Sequence, residues 1–455
     1  MGKSIGPPEA IDPGRVTHTV SGSVLSSETR NGRMFHVLSE RGLTAEYAVA
    51  YQIGSGIKGR TFAVQVGDYL FESPLSWFKA SGWDVSPGYE SMQLLDFDRA
   101  VTSNCLFCHS GKPRFSDADG RRLGSARIEA ITCERCHGDG EGHARRPSSN
   151  NIVNPAKLSG AARDSVCEQC HLEGDTRILN PGKTLDDYHP GDPLEAVMAV
   201  YLQHQGKRAV SQVEELAESK CVRSHKLWCG SCHDPHGPRV DVAQVCRSCH
   251  AQLSKATHPA TPKECTSCHM QRRDAQDIAH VALTDHHIRR PGSQEDAPPA
   301  GIVAWREPPA EFRQRDQALA ELQIGSKEKS VKLLETLPEA QQNSDPDVLS
   351  ALEAAFLASS PPDRAVALAR WAVESLPKSA TFALNYGLAL KRAGDLKQAE
   401  RELLRSIELD PSLMRSYAEL ALLYDGEGKQ AESMAIIGRF LEWNPQNIQF
   451  RLALK

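Results

Sequence analysis

The sequence predicts a mainly α chain with a small N-terminal β part, a cysteine-rich middle and an α-solenoid at its C-terminal end. Three observations predict it. Strand-like alternation broken by glycine turns runs to about residue 75, six Cys-x-x-Cys-His boxes lie between Cys105 and His269, and a 34-residue period marks the helical end. The divisions that follow are residues 1–95 (β-rich, expected to pack on the box segment), 96–288 (the boxes), 289–310 (a Pro-rich linker) and 311–455 (helical repeats).

At 455 residues the chain has room for two to four domains. Its net charge of −5 carries no basic footprint for nucleic acid. No run of about twenty apolar residues is present to span a membrane.

Residues 1–15, with Pro7, Pro8 and Pro13, read as a loose lead-in. Asn31-Gly32 between Val24-Leu25 and Met34–Leu38 is a strong hairpin signal. Tyr47, Val49, Tyr51 and Ile53 alternate onto one face of a half-buried strand. Thr61–Val66, Gly67-Asp68 and Tyr69–Glu72 form a second hairpin pattern. Gly54-Ser55-Gly56 is no phosphate loop, because no Gly-x-x-x-x-Gly-Lys follows. Trp77, Trp83 and Tyr89 suit either the face of a flat cofactor or an ordinary core.

The boxes are Cys105–His109, Cys133–His137, Cys167–His171, Cys229–His233, Cys246–His250 and Cys265–His269. Cys-x-x-Cys alone is also a zinc half-site or a redox dithiol. A zinc site, however, has no reason to place His next after the second Cys six times. Covalent haem c has one: both thiols bond the porphyrin edge and the following His is held under the iron. The pattern therefore assigns six haems c. They attach at Cys105 and Cys108, Cys133 and Cys136, Cys167 and Cys170, Cys229 and Cys232, Cys246 and Cys249, and Cys265 and Cys268. The proximal ligands are His109, His137, His171, His233, His250 and His269. Apolar runs are scarce here, so the porphyrins are expected to act as the core of a haem-packed domain. Boxes start 28, 34, 62, 17 and 19 residues apart, which brings the last three haems close together. In the longest gap, Pro193–Gln205 shows helical spacing and predicts a packing helix.

Eleven further histidines can supply distal ligands. Those nearest the boxes are the preferred set: His143, His225, His236, His258, His280 and His286. His189 and His204 come second, while His18 and His36 can reach a haem across the sheet or serve haems of a missing N-terminal part. Cys221 stands outside the boxes and reads as a buried thiol, with ligand or reactive roles as the alternatives.

Beyond the linker, Pro377, Pro411 and Pro445 recur at 34 residues, as do Gly394 and Gly428, and Ala365 and Ala399. That is the tetratricopeptide period. Gly387 and Ala421 fall where the two helices of a unit touch, and Ala380–Pro411 is the best unit.

Taken together, YQIGSG, ESPLSWF, GWDVSPGYE, CHGDGEGH, LWCGSCHDPHG, CTSCHM and AHVALTDHHIRR resemble the cytochrome c554-like multihaem cytochromes fused to tetratricopeptide repeats. The resemblance implies bis-His haems in close-packed pairs, with distal roles for His143, His236, His258, His280 and His286. It also implies a further N-terminal box. The start MGKSIGPPEA lacks the apolar stretch of an export signal, whereas c-type haem is attached outside the cytoplasm. A truncated or processed form of a periplasmic or otherwise extracytoplasmic protein is therefore expected.

The functional expectation is electron transfer through six haems, with redox partner proteins docking on the repeats. The alternative is a multihaem oxidoreductase acting on a small nitrogen or sulfur compound at one haem with an open coordination site. No catalytic side chain stands out, and every box ends in His, which favours transfer. A zinc scaffold with repeats is a distant third.

Overall fold

The computed structural model describes residues 3–124, 128–158, 160–203, 208–224, 227–237, 240–251, 265–278, 280–293, 301–357 and 362–455. Its contacts form two compact units. One joins the chain up to Ile131 with Glu311–Lys455, and the other is Thr132–Ala310.

In the first unit, nine strands follow the expected hairpin signals. They are β1 (Ile5–Gly6), β2 (Gly14–Thr17), β3 (Val24–Arg30), β4 (Arg33–Glu40), β5 (Leu43–Ile53), β6 (Gly59–Val66), β7 (Tyr69–Glu72), β8 (Leu75–Phe78) and β9 (Gly82–Val85). The antiparallel order is β2-β3-β4-β5-β6-β8-β9, with β1 added to β5 and β7 to β6. Asn31 and Gly32 both take positive φ (51° and 74°), the backbone that a two-residue hairpin turn needs. The alternation in β5 holds through Val49, then shifts register at a bulge between Val49 and Tyr51, so that both Gln52 and Ile53 are buried. The two end strands approach each other and nearly close the sheet. Trp83 of β9 donates its indole N–H to the Asp12 carbonyl (2.8 Å), and its ring fills the space where a Cβ on Gly14 of β2 would stand.

Trp83 and Tyr89 therefore belong to the protein's own packing. Tyr89 is fully buried and donates to the Glu72 carbonyl at 3.0 Å. Leu25, Leu38, Val64, Phe71, Leu75 and Phe97 complete that core, and Ile448 from the far end of the chain enters it. Burial of this kind contributes roughly 1.5–3 kcal/mol per large apolar side chain. The first 95 residues, expected on the box segment, are thus united with the helical repeats, and the first box goes with them. Contacts some 350 residues apart in sequence leave no local pattern, which is why the sequence did not point to this grouping.

The helical end comprises Arg313–Ile324, Lys327–Glu335, Glu339–Ser344, Pro346–Phe356 and Asp363–Ser375, then Ala380–Ala393, Leu396–Leu409, Met414–Gly426, Gln430–Trp443 and Ile448–Ala453. Gly387 does sit where two helices touch: a Cβ there would stand 2.9 Å from Leu403 Cγ. Gly394 ends its helix in the left-handed region (φ 85°), as a C-terminal glycine should.

The second unit is sparser. Helix Gly160–His171 lies beside a three-stranded sheet of Thr176–Leu179, Met198–Leu202 and Val303–Ala304. The packing helix expected over Pro193–Gln205 is instead a single 3-10 turn, Leu194–Ala196, followed by the strand Met198–Leu202. Four of that strand's five residues are buried, so it lacks the alternation that marks a half-exposed strand. Nor is the Pro-rich stretch only a linker. Val303–Ala304 completes the sheet, and Arg306 pairs with Glu168 and Glu195. Among the described residues no helix is long and apolar enough to cross a membrane.

Candidate haem sites

Each box closes a short helix: Ser103–His109, Glu134–His137, Gly160–His171, Cys229–Cys232, Val242–Cys249 and Thr266–His269. The His N–H returns to the carbonyl of the first Cys at 2.9 Å in the second and fourth boxes and at 3.0 Å in the fifth and sixth. One helical turn therefore sets Cys, Cys and His at i, i+3 and i+4, on a single face. That is the arrangement a covalently held porphyrin requires.

The imidazoles are prepared for a metal. His137 Nδ1 donates to the Val153 carbonyl (2.7 Å), His269 Nδ1 to that of Arg289 (2.8 Å) and His286 Nδ1 to that of Thr284 (2.9 Å). A carbonyl only accepts, so these bonds place the proton on Nδ1, which in His137 and His286 leaves the Nε2 lone pair for a metal. Desolvation lowers the pKa of His109, His171 and His286. The surfaces of His109 and His171 nevertheless stay accessible. Rings walled by protein but open to one side keep the neutral form that binds metal.

Two ring pairs have a telling separation. The centres of His233 and His286 lie 6.1 Å apart with planes 22° from parallel, and those of His137 and His236 lie 5.6 Å apart at 31°. A metal-bound imidazole nitrogen lies about 2 Å from its metal, so rings at these separations are close enough for both to serve one ion. Both pairs match a box His with a histidine from the expected distal set.

Thiols also pair between boxes. Cys167 and Cys229 hydrogen-bond each other, which raises the pKa of Cys167 and lowers that of Cys229. Cys246 is pushed up to about 11 by burial and by its bond to Cys265. The third and fourth boxes thus meet at their first cysteines, and so do the fifth and sixth. Cys221 lies within electrostatic reach of Cys246.

Zinc is a poor fit to this geometry. A four-ligand zinc site needs its donors to converge on one point. Among the described residues the one converging group of three or more is Glu215, Asp285 and His287, with no thiol in it. Haem fits for a further reason. Between Ser219 and Val281 no described residue is buried, although three boxes lie there. A segment of that length cannot hold its shape on side-chain packing alone, and large flat cofactors can fill the missing core.

The other expected ligands are less fully placed. His143 sits on helix Glu141–Arg145, its Nδ1 3.0 Å from Asn151 Oδ1 and 3.1 Å from the Ser148 carbonyl. His280 adopts φ 60° in a turn. His225, His258 and His204 lie outside the described residues. His18 and His36 are structural members of the sheet. His18 bonds Ser21 Oγ and the Glu90 carbonyl, while His36 is buried between Phe62 and Trp83 with Ser73 Oγ at 2.7 Å. Sequence reasoning missed Glu215 and Ser219, which touch the His286 backbone across some 70 residues, because a contact of that span leaves no motif.

Comparison with known proteins bears on both halves of the chain. The tetratricopeptide repeat family model matches residues 380–413 and 415–447. The Multiheme cytochrome MtrA of Shewanella baltica (strain OS185) is 23% identical over 239 residues, covering 46% of this chain. The match spans 66% of that relative's length. Among solved structures, MamA from Desulfovibrio magneticus RS-1 is 14% identical, with a TM-score of 0.28 over 30% of this chain and 76% of its own. MamA of strain AMB-1 is 22% identical, with a TM-score of 0.27 over 30% and 73%. The chain thus carries tetratricopeptide repeats and has a distant multihaem cytochrome relative.

Proposed function

We propose that this chain is an extracytoplasmic multihaem c-type cytochrome that passes electrons through six covalent haems and docks redox partner proteins on its repeats. The observation that carries the reading is the His233–His286 pair, a box histidine whose ring centre lies 6.1 Å from that of a second imidazole. Haem c bound at the boxes supplies one-electron exchange at iron. The chain's own residues then have definite tasks. Cys and His of each box hold the group on one helical turn. Carbonyls of Val153, Thr284 and Arg289 fix the imidazole tautomers. His236 and His286 serve as sixth ligands in the second and fourth boxes. The distant relative's description as a multihaem cytochrome supports the same class.

The oxidoreductase reading draws on the first box. The two other histidines of its compact unit, His18 and His36, are engaged within the sheet, so neither offers this box a second imidazole.

The test is maturation in a periplasmic host that attaches haem c, followed by intact mass and pyridine haemochrome. Six haem additions per chain are expected, with low-spin signals from the oxidised irons. A colourless chain that binds zinc instead would overturn the reading.

A further inference from the structure

We propose that Glu215 and Ser219 are positioning residues that hold His286 opposite His233, an inference resting on the reading of His286 as a sixth ligand. Both are almost fully buried, at 5% and 3% exposure. Glu215 projects from helix Gln212–Ala217, and its Oε2 accepts the backbone N–H of His286 at 2.8 Å. Ser219 Oγ accepts the N–H of Ile288 (2.8 Å) and donates to the His286 carbonyl (3.4 Å). The backbone of the ligand is therefore gripped on both sides by groups about 70 residues earlier in the chain. The ring is then turned by its own Nδ1 bond to Thr284.

The grip is itself buttressed. Glu215 Oε1 accepts from Ser211 Oγ at 2.8 Å and from the Arg273 guanidinium. Arg273 lies on the strand Arg272–Asp274 that pairs with Ala282–Thr284, immediately before the ligand. On the other flank, Asp285 accepts from Arg289 (2.7 Å) and from the backbone N–H of His287 (2.8 Å), and His287 Nε2 reaches Glu218 at 3.2 Å. Glu215, Asp285 and His287 converge closely enough to suggest a cation site. Arg273 and Arg289, however, already neutralise the two carboxylates. The cluster is a charge-balanced clamp. Its bonds to ionised groups are of the stronger, charge-assisted kind, and losing one partner leaves buried charge uncompensated.

The experiment compares holo-protein carrying Glu215→Ala, Glu215→Gln, Ser219→Ala or His286→Ala. Each is examined by electron paramagnetic resonance when oxidised and by carbon monoxide uptake when reduced. His286→Ala is expected to expose one high-spin, carbon monoxide-binding iron per chain, returned to low spin by added imidazole. Glu215→Ala should show the same signal, whereas Glu215→Gln, which keeps an acceptor for the His286 N–H but loses the charge facing Arg273, should show a smaller fraction of it. A Glu215→Ala spectrum identical to the unaltered one, beside a positive His286→Ala, overturns the positioning role. If His286→Ala itself stays wholly low-spin, the ligand reading fails instead. Where Glu215→Ala yields no folded holo-protein, Ser219→Ala decides: several-fold faster ligand uptake supports the clamp, and an unchanged rate refutes it.

Discussion

Glu353, on helix Pro346–Phe356, is 1% exposed, with Oε2 3.3 Å from Asn385 Nδ2 and no partner on Oε1. Burial pushes its carboxyl up to about 7. The folded state therefore holds a proton that the unfolded chain releases near its ordinary value of 4.5. Unfolding is linked to proton loss, so the first unit should lose stability as pH rises from about 4.5 to 7 and level off above that. Glu353→Gln, which mimics the neutral form, should make this slope shallower, since buried Asp96 and Asp316 contribute to it too, and add on the order of 1–3 kcal/mol above pH 7. Thermal midpoints of both proteins between pH 5 and pH 8 check it, and parallel curves would sink the idea. The His36 imidazole responds in the opposite sense, held down to about 3 by burial alone. From the sequence, His36 was a remote ligand candidate and Glu353 one acid among 58 charged to that side of the balance. Residue identity shows chemical capacity, but only packing shows which capacities are suppressed.

At the scale of elements, legibility followed locality. The six boxes were readable because each is written in five consecutive residues. The Asn31-Gly32 turn was readable because asparagine and glycine tolerate positive φ. Arg41-Gly42 makes an equivalent turn between β4 and β5, with φ 47° and 76°, yet was missed because arginine seldom adopts that conformation. Met198–Leu202 was misread as helix because its burial erased the alternation. The repeat period did predict a particular contact, that of Gly387. A side chain there meets Leu403 Cγ at 2.9 Å, Leu403 Cδ2 at 3.1 Å and the Ala399 carbonyl at 3.3 Å. Gly387→Val should therefore cost about 1–3 kcal/mol through overpacking, despite valine's greater apolar surface. A lowered midpoint of the helical circular dichroism transition is the expected readout, and an unchanged midpoint would show that the two helices can separate without cost.

Across the first unit as a whole, three successive repeat loops grip the N-terminal region. Asp119 accepts from Ser379 Oγ (2.6 Å) and the Ala380 N–H (2.7 Å). Arg121 donates to Asp410 at 2.6 Å and to Ser412 Oγ at 3.1 Å. Tyr47 donates to Asn444 at 2.7 Å, and Asp96 accepts the Ile448 N–H at 2.7 Å. Asp410 and Asn444 are one 34-residue period apart and Ala380 and Ile448 two, so the repeat supplies a regular edge for docking. The sequence revealed the period but not its occupant, since the matching residues lie among strands and turns with no period of their own. Asp119 and Asp96 both act as caps on helix N-termini, where loss of a side-chain acceptor costs about 0.5–2 kcal/mol. Capping different helices and sharing no partner, the two losses should add. The double variant Asp96→Ala with Asp119→Ala should therefore weaken the strands and the repeats together. Limited proteolysis of the full holo-protein would show cleavage appearing in both regions at the same protease concentration. Cleavage confined to the last helix, with the strands still resistant, would mean that the sheet stands without the repeats, which would then be left wholly to partners.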